Sequence, residues 1–397
     1  MSPGILIFIC ALLAFILTWC AYPVALHYAR KHHVEDTPDA RKLQNKPIPV
    51  LGGVTIAVGI AIPLLITTIY FDGNALIYIL PFMAIMLIIG VLDDLYNLSA
   101  ALRFLFELLI VWTYIWLSGS MIDSFHGLWN TAALPAYIGV PLSLIAGVGI
   151  INSINLIDGI DGYSSGFGII ACTIFGLLFL RLGDYDFACF ALICAVGIIP
   201  FFCHNAFGQK TKMYIGDGGT LMLGAVMSCC IFHILSADSP CATLQQQGFG
   251  IVAFCLAVMC MPVFDTVRVM CRRLAHGISP FTPDRTHMHH LYLDLGFSHI
   301  GATTMLLCTN LLVVFCWWLS YRLGASINLQ FYLVMLLGLL STFGFYPWMR
   351  YCMRRGNAFY RAMVCLGRWS HLEQTNLGHA LQTIVDGKWL QRKKLSD

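Results

Sequence analysis

Eleven long apolar runs, separated by short polar connections, are the feature that most constrains how this chain can fold. Each run is near the roughly 20 residues that an α-helix needs to cross a bilayer, and no regular alternation of polar and apolar residues favours strands. Charged residues make up only 11% of the 397 residues, against about a quarter in soluble domains. The sequence therefore predicts an all-α, polytopic membrane protein. The approximate bounds of the runs are 4–26, 49–70, 75–92, 102–118, 134–151, 165–182, 187–203, 218–235, 249–270, 300–321 and 326–348.

The distribution of Lys and Arg predicts how the protein lies in the membrane. The even-numbered connections hold only Arg181 and Arg322, whereas the other 21 of the 23 Lys and Arg lie in or next to the odd-numbered connections and in the C-terminal tail. Because cytoplasmic loops are enriched in Lys and Arg, we expect the N-terminus outside and the C-terminus in the cytoplasm. We divide the chain into a transmembrane domain, residues 1–348, and a basic cytoplasmic tail, residues 349–397.

Two adjacent carboxylates, Asp93 and Asp94, end the third run, and Arg103 begins the fourth. Ionisable groups at membrane depth are costly and indicate a function by default. Close carboxylates repel one another unless a cation is present, so the pair indicates a divalent metal, a proton-transfer role, or both. The alternative is an interfacial helix cap assisted by Arg103.

A second polar group lies at the end of the fifth run, in the segment NSINLIDGIDG. Its members follow one another at intervals of three residues, so neighbours lie close together on a helix. They are Asn152, Asn155, Asp158 and Asp161. Packing explains such residues poorly in an apolar run, although a polar seam between helices is an alternative.

A third group surrounds Asp217, which stands between glycines in YIGDGGT, with Lys212 nearby. We interpret the glycines as small residues that let a ligand or metal approach the backbone. Mg²⁺ commonly binds through one or two carboxylates together with substrate phosphates.

The fourth group is the loop SPFTPDRTHMHH, which carries Arg285, His287, His289 and His290. Three histidines in four residues could indicate a transition metal, but the basic surroundings favour an anion such as phosphate. A solvated basic loop is the alternative. All four groups fall on the predicted cytoplasmic side, which implies metal-assisted phosphoryl transfer on a membrane substrate.

Five motifs in order, DTPDARK…IPVLGG, DDLYN, NSINLIDGIDG, YIGDGGT and SPFTPDRTHMHH, carry a family resemblance between about residues 36 and 300. With them the sequence resembles the polyprenyl-phosphate N-acetylhexosamine-1-phosphate transferases, of the undecaprenyl-phosphate N-acetylglucosaminyl-1-phosphate transferase type. The resemblance implies a helical bundle with a cytoplasmic cleft, in the bacterial cytoplasmic (inner) membrane. It also implies transfer of a sugar 1-phosphate, foremost GlcNAc 1-phosphate, from a UDP-sugar to undecaprenyl phosphate with release of UMP, as the first membrane step of a cell-envelope polysaccharide.

The resemblance further implies Mg²⁺ as the cofactor, with Mn²⁺ as a substitute. The partners it implies are a UDP-sugar, polyprenyl phosphate and the lipid bilayer. Nucleic acid is not expected, and a homodimer is one option for the assembly.

Carried over residue by residue, the resemblance assigns three sets of roles. The catalytic set is Asp93, Asp94, Asp158 and Asp161, and the metal set is Asn155 and Asp217. The substrate-binding set is Arg103, Asn152, Lys212, Arg285, His287, His289 and His290. Arg103 stands where related enzymes have a lysine, and Gln44 stands where the family often has a histidine, which argues against a role for that side chain.

Two other functions remain open from the residues alone. A secondary transporter also places charges at membrane depth, usually near the midplane of broken helices rather than on one face. An aspartate-rich membrane prenyltransferase also uses Mg²⁺ and acids, although its acidic motifs are denser than DDLYN. The sequence leaves open the sugar, the pathway, and the choice between direct attack and a covalent aspartyl intermediate.

Overall fold

The computed structural model describes residues 2–36, 47–71, 74–131, 133–280, 282 and 284–393, and most of these residues are helical. The first eight helices are α1 Pro3–Lys31, α2 Gly52–Phe71, α3 Asn74–Tyr96, α4 Ala100–Ser118, α5 Ala136–Ile157, α6 Tyr163–Leu182, α7 Tyr185–Phe207 and α8 Gly216–Ile234. They are followed by α9 Ala242–Gln245, α10 Ile251–Val258, α11 Cys260–Ala275, α12 Met288–Asp294, α13 His299–Arg322, α14 Ile327–Leu339, α15 Phe345–Arg355, α16 Ala358–Trp369 and α17 Asn376–Lys393. A short π-helical turn, Leu340–Gly344, joins α14 and α15 into one span.

The predicted all-α membrane fold is confirmed. Within the described residues, ten helices are long and apolar enough to cross a membrane, and an eleventh span results if α10 and α11 are counted together. Each of the eleven apolar runs coincides with one of these spans. Several helices extend beyond the predicted ends, because polar residues such as Asp93 and Asp94 form the last turn of α3 rather than a loop.

The ninth span differs from a continuous helix because α10 and α11 meet at an angle of 75°. Pro262 lies in the first turn of α11, where its missing N–H is tolerated. The Asn310 side chain of α13 satisfies backbone groups on both sides of the break. Its Oδ1 accepts from the Met261 N–H at 2.9 Å, and its Nδ2 donates to the Val258 carbonyl at 2.9 Å. Membrane helices tolerate such breaks where a neighbouring helix satisfies the freed backbone groups.

Helix α8 lies at the centre of the bundle, with 89% of its most apolar 18-residue stretch buried inside the protein. It packs against α3, α5 and α2, and glycines make this close packing possible. A Cβ atom at Gly224, for example, would lie 2.5 Å from the Ile151 Cα of α5. This packing holds the N-terminus of α8 against the C-terminal ends of α3 and α5.

A two-stranded antiparallel hairpin, β1 Glu35–Asp36 with β2 Ile48–Pro49, lies beside the N-terminus of α8. The Tyr214 N–H donates to the Pro49 carbonyl at 2.8 Å, and the Gly52 N–H donates to the Tyr214 carbonyl at 3.0 Å. The hairpin is thereby tied to the segment that leads into α8. Gln44, together with most of the DTPDARK motif, lies outside the described residues.

The tail from residue 349 folds onto the bundle. The last span continues to Arg355, seven residues past its expected end, and α16 and α17 follow. Helix α17 packs against α7, where Asp386 reaches the loop between α7 and α8. This loop carries Lys212.

Candidate functional site

An acidic cleft of about 640 Å³ opens at one end of the bundle. It lies where α3 and α5 end and where α8 begins, so the polar residues that close these spans converge there. Seven of its described lining residues are acids, and none is Lys or Arg. Cations that offset this negative charge would favour the entry of an anionic substrate. The acids are Glu35, Asp36, Asp93, Asp94, Asp158, Asp161 and Asp217.

Asp94 is held by the N-terminus of α8. Its Oδ1 accepts from the Asp217 N–H at 3.1 Å and its Oδ2 accepts from the Gly218 N–H at 3.3 Å. A helix N-terminus stabilises negative charge through its free N–H groups and its dipole. Helix α8 therefore fixes the orientation of this carboxylate at the wall of the cleft.

Asp93 takes part in the capping contact that was the alternative interpretation of the pair. Its carboxylate accepts from the Leu98 N–H at 2.8 Å and from Arg103 Nη1 at 2.8 Å. Asp93 is 8% exposed and still lines the cleft. The two neighbouring acids are thus held differently, one by a cation and the other by backbone amides.

Arg103 links Asp93 to two further acids. Its Nη1 lies 3.7 Å from Asp217 Oδ2, and its Nε lies 3.5 Å from Glu107 Oε1. Glu107 is fully buried and accepts a hydrogen bond from the Asn152 side chain. Sequence reasoning missed Glu107, although an acid in the middle of a span, four residues after Arg103, is a recognisable signal.

Asn152 therefore faces Glu107 and does not line the cleft. This contact joins α4 to α5, as the polar-seam alternative describes. Asn155, one turn further, points towards Asp217 instead.

Asn155 and Asp217 lie in direct contact, although only Asp217 lines the cleft. The Asn155 amide donates to Asp217 Oδ1 at 2.7 Å and to the Thr220 hydroxyl at 2.9 Å. Its amide oxygen accepts no hydrogen bond from the described residues, and the Asp217 side chain is 37% exposed. Oxygen donors of this kind suit Mg²⁺. Across the described chain no three His, Cys, Asp or Glu converge as a metal cage, so substrate oxygens would have to complete the coordination.

The glycines around Asp217 allow close packing between helices. A Cβ at Gly216 would lie 2.6 Å from Asp94 Oδ2, and one at Gly218 would lie 2.7 Å from Val91 Cγ2. Gly216 also has a φ of +73°, which other residues adopt rarely. These glycines let α3 approach α8. Gly216 also lines the cleft, so the interpretation that small residues admit a ligand there stays a prediction.

Asp158 and Asp161 line the cleft in contrasting environments. Burial raises the pKa of Asp158 to about 7, although the Ser164 hydroxyl donates to its Oδ1 at 2.5 Å. Burial alone would also raise the pKa of Asp161, but His299 at 2.8 Å and Lys212 at 2.5 Å outweigh it and lower that pKa. Asp161 therefore stays ionised, whereas Asp158 exchanges a proton near neutral pH. His299, which sequence reasoning missed, had no motif to mark it.

The three histidines of the loop have different surroundings. His287 Nδ1 lies 3.1 Å from Asp265 Oδ2. The ring of His289 packs against Gly159, and its Nδ1 has no hydrogen-bond partner among the described residues. Only His290 lines the cleft. Burial lowers the pKa of His289 well below its usual value and that of His290 to about 4. The lowered pKa values favour the neutral imidazole at both positions, which would bind an anion through hydrogen bonds rather than through charge.

Arg285 lies outside the acidic cleft. It is exposed and lines a second cavity between α11 and α15. The DRTHMHH segment is therefore shared between two cavities, with His290 in one and Arg285 in the other.

Fold and site together define a polytopic helical membrane protein with an acidic cleft at one end of its bundle. Residues 76–235 match the model of glycosyl transferase family 4. The chain is 30% identical to an undecaprenyl-phosphate alpha-N-acetylglucosaminyl 1-phosphate transferase of Yersinia pestis over 282 residues, which cover 69% of this chain and 73% of the relative. The corresponding Escherichia coli K12 protein is 29% identical, with 68% and 72% covered. A probable undecaprenyl-phosphate N-acetylglucosaminyl 1-phosphate transferase of Bacillus subtilis is 29% identical, with 70% and 74% covered.

This chain belongs to the family of undecaprenyl-phosphate N-acetylglucosaminyl 1-phosphate transferases. The resemblance carried by its five motifs is thereby confirmed.

Proposed function

We propose that this protein transfers GlcNAc 1-phosphate from UDP-GlcNAc to undecaprenyl phosphate and releases UMP, at the cytoplasmic face of a bacterial inner membrane. The observation that carries the proposal is the convergence of Asp94, Asp158 and Asp217 in one cleft at the end of the bundle. The family supplies the reaction class. A cleft at the end of the spans is accessible both to a soluble nucleotide sugar and to a lipid phosphate.

The orientation rests on the basic residues. The cleft is built from all five odd-numbered connections, the set that holds nearly all Lys and Arg. Because such loops stay on the cytoplasmic side, the cleft would face the compartment in which UDP-sugars are made.

Asp217 and the Asn155 amide oxygen would hold Mg²⁺, and Mn²⁺ would serve as a substitute because it also accepts oxygen ligands. The metal ion would neutralise charge on the pyrophosphate and on the leaving UMP. This role fits a cleft with seven acids and no lining Lys or Arg among the described residues.

The proposed reaction is an attack by an oxygen of the lipid phosphate on the sugar-bearing phosphorus of UDP-GlcNAc. A new P–O bond forms to the lipid, and the bond to the bridging oxygen breaks, so that UMP leaves with the electron pair. Asp94 would orient the lipid phosphate and take its proton if it arrives protonated. Both Asp94 oxygens already accept backbone N–H groups, which reduces their nucleophilicity and favours direct attack over an aspartyl intermediate.

Other residues would act on the substrates through hydrogen bonds and charge. Lys212 and His299 keep Asp161 ionised, and His290 offers a neutral imidazole to the nucleotide end. Arg103 would hold Asp93 and Asp217 at a fixed separation, because it lies within 4 Å of both carboxylates.

The proposal is tested with the full chain in lipid nanodiscs, supplied with UDP-GlcNAc, undecaprenyl phosphate and Mg²⁺. We expect UMP release that requires the lipid phosphate, and UDP-GalNAc and other UDP-sugars measure the donor preference. A prenyltransferase would release no UMP from any of these donors, and a transporter would form no lipid-linked sugar. UMP release in the absence of the lipid phosphate, or none with any donor, would contradict the proposal.

A further inference from the structure

The second cavity, of about 980 Å³, lies between the C-terminal half of α11, the loop before α12, and α15. No described residue lines both this cavity and the acidic cleft. Its charge is the opposite of that of the cleft: five arginines line it, and none of its described lining residues is an acid. They are Arg268, Arg272, Arg285, Arg350 and Arg354.

Two of these arginines are neutralised by the protein itself. Arg268 lies 2.6 Å from Asp265 and stacks 4.0 Å above the Tyr346 ring, and Arg350 lies 2.8 Å from Asp294. Arg272, Arg285 and Arg354 have no carboxylate within 4 Å among the described residues. Three uncompensated guanidinium groups around one cavity call for an anionic occupant, since Arg recognises phosphate through several N–H donors.

The position of the cavity indicates where this anion comes from. Helices α11 and α15 are the terminal parts of two membrane spans, and Arg350 binds α12, whose His290 lines the acidic cleft. The cavity is therefore at the same end of the bundle as the cleft, near the headgroup level of the bilayer.

The walls of the cavity are partly apolar, as a lipid site requires. Phe343, Tyr346 and Met353 contribute side chains to it. Nearby, Leu274 and Trp348 are exposed on the outer surfaces of α11 and α15, where acyl chains would run. An exposed tryptophan is typical of the membrane interface.

We propose that this cavity binds the phosphate headgroup of an anionic phospholipid from the same leaflet. The phosphodiester contacts Arg272, Arg285 and Arg354, and the acyl chains extend along α11 and α15. Basic pockets between transmembrane helices bind anionic headgroups in this way. Because Arg285 and Thr286 line the cavity next to His287, the bound lipid also stabilises the loop that carries the three histidines. This inference does not depend on the transferase activity.

Two native cysteines provide the test in the unmodified chain. Cys271 lines the cavity and is exposed, whereas Cys365 is exposed on α16 outside it. We expect dioleoylphosphatidylglycerol, added to detergent-solubilised protein, to slow alkylation of Cys271 but not of Cys365, measured by peptide mass spectrometry. The same amount of dioleoylphosphatidylcholine should protect neither. Equal protection by both lipids, or no protection by either, would overturn the proposal.

The variant Arg272→Gln/Arg354→Gln gives an independent test. We expect its affinity for phosphatidylglycerol, measured by native mass spectrometry, to fall roughly 30-fold, since each basic residue near a lipid surface contributes a factor of about five. The matched control is Arg361→Gln/Arg368→Gln, which removes two exposed arginines of α16 outside the cavity and should bind as the wild type does. Equal losses in both variants would reduce the effect to general surface charge and overturn the assignment.

Competition distinguishes the sources of phosphate. Millimolar inorganic phosphate should not displace phosphatidylglycerol, because it lacks acyl chains. Displacement by inorganic phosphate would mark a free-anion site. Displacement by substoichiometric undecaprenyl phosphate would indicate a binding site for the acceptor lipid. Either result would overturn the phospholipid assignment.

Discussion

Replacement of Asp386 by alanine should release the C-terminal helix α17 from the loop that carries Lys212. Asp386 is 6% exposed, and its carboxylate accepts four hydrogen bonds. Oδ2 accepts from the Gln209 and Lys210 N–H groups at 3.2 Å each. Oδ1 accepts from the Thr211 N–H at 3.1 Å and from the Thr211 hydroxyl at 2.8 Å.

The size of the effect follows from these contacts. A hydrogen bond to a charged group contributes about 1.5–3 kcal/mol, but water replaces part of this when an opened loop is solvated. We therefore expect the four bonds together to stabilise the docked loop by about 2–4 kcal/mol. This corresponds to an increase of roughly 30-fold to 10³-fold in the opening equilibrium, at about 1.4 kcal/mol for each factor of ten.

Hydrogen–deuterium exchange of residues 209–211 in nanodiscs measures that equilibrium directly. Asp386→Asn keeps one acceptor oxygen and should give an intermediate increase. Thr383→Ala is the matched control, because that exposed hydroxyl donates to the His379 carbonyl within α17. Its exchange at 209–211 should equal that of the wild type.

The pH dependence provides a second check. Burial alone would raise the pKa of Asp386, but the Thr211 hydroxyl and the three backbone N–H groups lower it. A carboxylate whose pKa is lowered in the folded state stabilises that state at pH values above its pKa in the unfolded state. This contribution is lost as the pH falls through the folded-state pKa. Unchanged hydrogen–deuterium exchange at 209–211 in Asp386→Ala would refute the role of Asp386 in holding this loop.

Three further predictions concern the cleft and the topology. Asp94→Asn should lower the rate of UMP release by a factor on the order of 10²–10⁴, while UDP-sugar binding, measured by calorimetry, is retained. Near-native rates for both Asp94→Asn and Asp93→Asn would leave the pair with its capping role alone. Burial lowers the pKa of His290 to about 4, so His290→Gln, which also offers neutral hydrogen-bonding groups, should keep more activity than His290→Ala at pH 7. A step near pH 6.5 in the pH profile of the wild-type KM that disappears in His290→Gln would contradict a neutral imidazole. In intact cells, an impermeant thiol reagent should label a cysteine introduced at exposed Gln246 but not one introduced at exposed His276. The reverse pattern would invert the topology. Native Cys241 is only 1% exposed and is therefore unsuitable as a labelling site.

The membrane spans and the acids of the cleft could be predicted because each depends on local sequence. An apolar run of about 20 residues predicts a span whatever its neighbours are. Asp93, Asp94 and Asp217 stand out because charge is rare in such runs. The convergence of these acids also followed, since all of them end or begin spans on one side.

Features that depend on contacts between distant segments could not be predicted. The break between α10 and α11 is completed by Asn310, about 50 residues away in the chain, and Asp386 binds a loop about 175 residues before it. Likewise, nothing in THMHH indicates that His287 turns towards Asp265 while His290 faces the cleft. Side-chain direction within a loop is decided by the helices that pack around it.

The dependence on a divalent cation tests the central claim, that the acidic cleft handles phosphates through a metal ion held by Asp217. The measurement is UMP release titrated with Mg²⁺ after EDTA treatment, for the wild type and for Asp217→Asn, which keeps one oxygen but loses the charge. The wild type should be inactive in EDTA and recover with Mg²⁺ or Mn²⁺, and Asp217→Asn should need a higher Mg²⁺ concentration for half-maximal activity at an unchanged Tm. Full activity of the wild type in EDTA, or the same Mg²⁺ requirement in both proteins, would contradict the claim.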